Sequence, residues 1–181
     1  MAIYIDGSNF YYKLRELKIS NIIYFGYQGL AEKLAGKRKI TIKRYYVGAV
    51  RSKEKDKRGQ KLRRGQIKLF NHLSSSKQGF SIQRGYLMKN DGVYHEKGVD
   101  VKIAVDLLVG AYENLYDTAI LVSSDTDLIP AIQKVRQLKK DVEYIGFSYK
   151  PSYGLIKNAT ETRLLTKNDV KEFEFASKKK K

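Results

Sequence analysis

Cysteine is absent from this 181-residue chain, which rules out disulfides and thiolate metal sites. The two histidines, His72 and His95, are too few for a histidine-based zinc centre. No apolar run is long enough to cross a bilayer; the longest, Ile103 to Val109, is interrupted by Asp106. The chain opens Met1-Ala2-Ile3-Tyr4-Ile5-Asp6, with no basic stretch ahead of a long apolar one, so a soluble, cytoplasmic protein without a membrane partner is expected. There is no glycine-rich phosphate loop of the P-loop type, which argues against nucleotide-driven functions. Acid is also scarce, with 19 Asp and Glu against 36 Lys and Arg.

The resulting formal charge of +17 makes the compact state repel itself, and a polyanionic partner is the economical explanation. The excess is uneven. Between Arg51 and Lys68 stand nine bases (Arg51, Lys53, Lys55, Lys57, Arg58, Lys61, Arg63, Arg64 and Lys68) against Glu54 and Asp56. A solvated helix face would carry a more even mixture, so this run is expected to contact phosphates, chiefly through Arg51, Arg58, Lys61, Arg63 and Arg64, with Lys43, Arg44 and Lys97 nearer any cleft. Lys178 to Lys181 form a second basic block, read as a charged tail.

Apolar and β-branched runs at Ala2–Ile5, Ile40–Ala49, Phe80–Met88, Thr118–Ser123 and Asp141–Phe147 predict five strands. Helical spacing lies between them: Leu62, Gln66, Leu69, Phe70 and Leu73; Val99, Ile103, Leu107 and Gly110; Leu128, Ile132, Val135 and Lys139. The helix from Val99 is apolar around so much of its girth that it should be largely buried. Asn90-Asp91-Gly92 is a turn signal just before it. Strands alternating with helices imply an α/β fold with a parallel sheet covered on both faces. Residues 1–166 are expected to form one domain, followed by a short helix and basic tail over 167–181.

Three segments place carboxylates where an apolar run stops: Ile5-Asp6-Gly7-Ser8-Asn9, Lys97-Gly98-Val99-Asp100, and Val122-Ser123-Ser124-Asp125-Thr126-Asp127. Each acid has a plain structural use. Asp6 and Asp127 can cap helices, and Asp100 sits in a first turn, where the macrodipole favours it by roughly 0.3–1 kcal/mol. Local capping does not explain why Asp6, Asp125 and Asp127 all end parallel strands, which puts them on one edge of the sheet, where open α/β folds bind ligands. Asp106 lies about 240° around the helix from Asp100, so a buried acid paired with a base, an amide or a hydroxyl is the simpler reading. Converging acids on a basic surface point to metal-dependent work on nucleic acid. Among the fourteen tyrosines, Tyr11, Tyr12, Tyr45 and Tyr46 fall near the strand ends and are candidates for base stacking, although most tyrosines in such positions belong to the core.

The blocks Ile3-Tyr4-Ile5-Asp6-Gly7-Ser8-Asn9-Phe10, Glu96-Lys97-Gly98-Val99-Asp100-Val101 with Ala104-Val105-Asp106-Leu107-Leu108, and Leu121-Val122-Ser123-Ser124-Asp125-Thr126-Asp127-Leu128-Ile129-Pro130 resemble the signatures of the NYN domain family, which includes the LabA-like proteins and falls in the PIN-like ribonuclease superfamily. The resemblance spans about residues 1–150. It implies a Rossmann-like sheet of order 3-2-1-4-5 and hydrolysis of phosphodiesters in RNA, single-stranded RNA being the favoured partner. It also implies Mg²⁺ or Mn²⁺ in an acidic pocket of Asp6, Asp100, Asp125 and Asp127, with Asn9 and Ser123 beside it. An all-carboxylate donor set suits such hard cations. The competing expectation is a non-catalytic RNA-binding adaptor with a vestigial metal site, and a homodimer is compatible with either. A dehalogenase-type phosphatase would need an acid at Ser8, and a Toprim nuclease a glutamate at Asp6.

Overall fold

The computed structural model describes residues 1–50, 56–90 and 93–175. The strands are β1 (Ala2–Asp6), β2 (Ile42–Ala49), β3 (Ser81–Asn90), β4 (Val93–Lys97), β5 (Thr118–Val122), β6 (Asp141–Phe147) and β7 (Glu161–Leu165). Between and after them run α1 (Gly7–Glu16), α2 (Tyr27–Ala35), α3 (Lys57–Leu73), α4 (Val99–Tyr112), α5 (Ile129–Gln137), α6 (Tyr153–Asn158) and α7 (Lys167–Lys171).

All seven strands form one sheet, ordered β4-β3-β2-β1-β5-β6-β7. Every neighbouring pair is parallel except β3 and β4. Leaving aside the antiparallel return strand β4, the first five strands stand in the Rossmann-like order 3-2-1-4-5, and β7 extends the β6 edge. All five residues of β1 are buried, because this central strand has neighbours on both sides and helices over both faces.

Alternate residues of the strands feed two cores. Ile3, Ile5, Ile120, Val122, Ile145 and Phe147 point to the face covered by α1, α2, the end of α3 and α7. Ala2, Tyr4, Tyr46, Leu121, Val142 and Tyr144 point to the face covered by α4, α5 and α6. Helices therefore lie on opposite faces after β1 and after β5, and these two strands pair directly. Their carboxyl ends open the crevice at the topological switch point.

Several expectations need correction. The helix from Val99 is not largely buried: Val99, Ile103 and Leu107 face the sheet, whereas Val101, Val105 and Val109 are exposed. Leu62 is exposed as well, so only the second half of α3, from Leu69 and Phe70 to Leu73, packs on the core. Gln66 ties that helix to the end of β2, its side-chain amide donating to the Gly48 carbonyl (2.8 Å) and its oxygen accepting from the Val50 amide (2.8 Å). Tyr45 and Tyr46 are buried core residues and offer no face for stacking. Lys43, at the amino end of β2, donates to the Gln78 carbonyl (2.8 Å) and to Gln28, away from the strands' carboxyl ends. The turn at Asp91-Gly92, Arg51, and the tail from Lys178 to Lys181 lie outside the described residues. No helix among the described residues is long and apolar enough to cross a membrane.

Candidate metal and nucleic-acid site

Gly7 fixes how β1 turns into α1. A Cβ on Gly7 would sit 2.3 Å from the Tyr45 ring and 2.6 Å from the Tyr46 carbonyl oxygen, so the chain can make this turn against β2 only without a side chain. The turn leaves Asp6 at the mouth of the crevice as N-cap of α1. One carboxylate oxygen, Oδ1, accepts from the Asn9 amide (3.0 Å), and the other, Oδ2, accepts from the Ser123 hydroxyl (3.0 Å). Asp6 is thus both a helix cap and a cleft residue; the two readings of it were not alternatives.

Ser123, buried at the end of β5, links the two strands, since its Oγ also accepts the Asp125 amide (3.1 Å). Asp125 in turn caps the 3₁₀ turn Thr126–Leu128, Oδ1 accepting from the Asp127 amide (3.0 Å). Asn9 Oδ1 accepts from Ser124 Oγ (3.2 Å), which joins α1 to the same loop. The third acid arrives from the opposite side. Gly98, at φ +76°, takes the left-handed turn between β4 and α4, and Asp100 follows in the first turn of α4.

Asp6, Ser8, Asn9, Tyr12, Val99, Asp100 and Asp125 line one cleft of about 520 Å³. Four of the residues singled out in the sequence are therefore brought together: Asp6, Asn9, Asp100 and Asp125. Ser123 lies behind them. Asp127 is exposed and stands outside the lining. Ser8 was passed over in the sequence, although it is two residues beyond a strand-end acid on the first turn of a helix that starts at the sheet edge.

Among the described residues no group of three acidic or imidazole side chains stands close enough to hold an ion as it is. The donor chemistry nevertheless fits Mg²⁺ or Mn²⁺: three carboxylates, an amide and a hydroxyl, all oxygen donors, around a space that admits the waters such ions keep. Asp100, Asp125 and Asp127 have no ion-pair partner among the described residues.

Asp106 is not part of the cleft. Its carboxylate pairs with Arg44 (2.8 Å) and accepts from the Tyr46 hydroxyl (2.7 Å). Arg44 is therefore committed beneath the sheet and is not a phosphate contact, contrary to the expectation for it. Burial, reinforced by the hydrogen bond to Asp106 and its charge, pushes the Tyr46 hydroxyl well above the usual tyrosine range; burial likewise pushes Tyr4 up to about 12.

The basic surface begins where α3 does. Asp56 caps that helix by accepting from the Gly59 amide (2.9 Å). Arg58, Lys61, Arg63 and Arg64 are exposed, without an acidic partner among the described residues. Lys97, exposed, ends β4 three residues before Asp100.

Comparisons with known proteins agree with this architecture. A crystal structure of a Vibrio parahaemolyticus protein of unknown function superposes with a TM-score of 0.61 at 23% identity, over 91% of each chain. The T5 5′-exonuclease with divalent zinc ions bound reaches a TM-score of 0.47 at 15% identity, over 86% of this chain and 59% of its own, a likeness too slight to bear on function. No curated protein matches the sequence. The NYN domain family is matched over residues 1–165, which extends through β7, past the point where the signature blocks end. With its strand-end acids gathered at the crevice between β1 and β5, the chain belongs to the NYN domain family.

Proposed function

We propose that this NYN domain is a metal-dependent ribonuclease acting on single-stranded RNA, with residues 1–166 as its working unit. The observation that carries this reading is the gathering of Asp6, Asp100 and Asp125 from three separate segments into one cleft at the carboxyl edge of the sheet, in a chain of net charge +17. Local capping explains each acid and does not explain their meeting.

Asp6, Asp100 and Asp125 would hold Mg²⁺ or Mn²⁺, with Asp127 at the mouth available to a second ion or to an attacking water. When bound, such an ion lowers the pKa of a water nucleophile and offsets the charge that builds on the phosphoryl oxygens. The protein's own part is orientation. Ser123 and the Asn9 amide fix both oxygens of Asp6, and the Asp127 amide fixes one oxygen of Asp125, so neither carboxylate has to reorganise during the reaction. Asn9 and Ser8 are placed to donate or accept at substrate oxygens. Arg58, Lys61, Arg63, Arg64 and Lys97 supply phosphate contacts that are insensitive to sequence.

The spread of the three acids, which form no ready-made cage, favours one second reading: an RNA-binding adaptor that has lost catalysis. An end-labelled single-stranded RNA incubated with the protein in Mn²⁺, in Mg²⁺ and in EDTA separates the two. Fragments that form with either ion and not in EDTA are the expected result; binding without fragments in all three would establish the adaptor.

A further inference from the structure

Exposed tyrosine is costly to explain by folding, since a ring in water contributes little burial. Three such rings stand along the carboxyl edge. Tyr12, 62% exposed, lines the acidic cleft from α1. Tyr86, 48% exposed, stands in β3 where the pairing with β2 ends, its ring beside Gly98, the residue that turns the chain toward Asp100. Tyr153, 78% exposed, opens α6 just after β6. The next residue, Gly154, lies so close to Ile129 and Thr126 that a Cβ there would be 3.1 and 3.2 Å from their side chains. The backbone that carries Tyr153 is thereby held beside the turn that bears Asp125 and Asp127.

In sheet order these positions belong to β3, to the helix after β1 and to the helix after β6, spanning four inter-strand steps, or roughly 19 Å at about 4.8 Å per step. That is room for several nucleotides, with the acids at the centre. One cation accompanies these rings: Lys97 pairs in register with Tyr86, whereas Lys13 donates to the Lys150 carbonyl and Lys150 pairs with Glu16. The Tyr12 ring is braced edge-on by Tyr11 at 5.6 Å. Tyr153 has no ring or hydrogen-bond partner among the described residues.

We propose that Tyr86, Tyr12 and Tyr153 form a base-stacking track that carries unpaired nucleotides across the acidic cleft and selects single strands. Stacking on aromatic faces is tolerant of sequence and unavailable to paired bases, whose faces are already covered. The inference rests on the nuclease reading for what happens in the cleft, not for the binding itself.

The chain contains no tryptophan, so Tyr153→Trp and Tyr12→Trp each create a single fluorescent reporter. These variants are titrated in EDTA, where nothing is cut, with single-stranded oligouridylate, with an abasic oligoribonucleotide of equal length, and with duplex RNA. Saturable quenching by oligouridylate alone is expected. Tyr153→Ala and Tyr12→Ala should each bind oligouridylate at least about 5-fold more weakly. Tyr112→Ala, removing a ring 59% exposed at the far end of α4, should not change it. Equal affinity for abasic and base-bearing strands, or unchanged affinity in both alanine variants, overturns the track while leaving any metal-dependent cleavage standing. Base-dependent quenching without cleavage in Mn²⁺ upholds the track and removes the nuclease reading.

Discussion

The two edges of the sheet treat their acids differently. At the amino edge carboxylates are closed by cations: Glu143, buried in β6, is gripped by two nitrogens of Arg38, and Asp117 pairs with Lys140 at 2.8 Å. At the carboxyl edge Asp6 accepts from an amide and a hydroxyl, Asp125 accepts from an amide, and Asp100 and Asp125 have no ion-pair partner among the described residues. Neutral donors set the direction of a carboxylate and leave its charge in place, whereas a guanidinium cancels the charge. In a protein with nearly twice as many bases as acids, leaving anionic charge together at one place has no evident value for folding. On the reading proposed above, the amino edge is built to be stable and the carboxyl edge to receive a cation.

The sharpest way to break this contrast is to neutralise one acid at each edge. Asp125→Asn keeps the cap, because Asn and Asp serve equally well at that position, and it removes a ligand; cleavage should fall by more than about 100-fold, beyond the loss typical of outer-sphere partners. Glu143→Gln should leave cleavage unchanged. Melting curves read the same contrast in stability. Mg²⁺ at a hundred times its dissociation constant stabilises the folded state by about 2.7 kcal/mol, which for a chain of this size raises Tm by roughly 5–10 °C. Asp125→Asn should lose most of that shift and melt like the wild type in EDTA. Glu143→Gln should instead lose about 1–2 kcal/mol with or without the ion, the half-exposed Arg38 limiting the cost. A destabilised Asp125→Asn protein, with no response of the wild type to Mg²⁺, would mean the two edges do the same work.

Replacing Arg58, Lys61, Arg63 and Arg64 by Ala tests whether the phosphate surface belongs to the carboxyl edge. Each single-strand phosphate contact contributes about 0.7 to the slope of log affinity against log salt, so the slope should flatten by up to about 3; an unchanged slope would reduce the run to a solvated face. The smallest effect concerns pH. Hydrogen bonds from Thr166 hold the Asp169 carboxyl below the usual range, and those from Ser20 do the same for Glu174. Their contribution is complete above the unfolded carboxylate pKa values of about 3.9–4.3 and disappears as pH falls through the lower folded values. Hydrogen exchange should therefore show α7 and the segment to Glu174 loosening below about pH 4, while β1 and β5 stay protected.

The core strands and the cleft acids were readable because they obey local rules. A buried parallel strand is a short apolar run, and an acid directly after it falls on a known edge. What escaped was set by tertiary partners. β7, Glu161-Thr162-Arg163-Leu164-Leu165, is mostly exposed and shows no period that the sequence alone could reveal; it exists because β6 offers it an edge. Val101, Val105 and Val109 look like core residues by composition, yet the sheet covers only one side of α4. The partners of Asp106 also lay beyond sequence reach, being 60 and 62 residues away on β2 at Tyr46 and Arg44.

The turn at Gly7 reaches further than its size suggests. The residue contacts no substrate in any reading of the cleft, yet any side chain there would meet the Tyr45 ring and the Tyr46 backbone and displace the strand end on which Asp6 is mounted. A scan of all substitutions would therefore find Gly7 as intolerant as the acids themselves, and a lineage that keeps this cleft must also keep a single hydrogen atom where other residues carry a side chain.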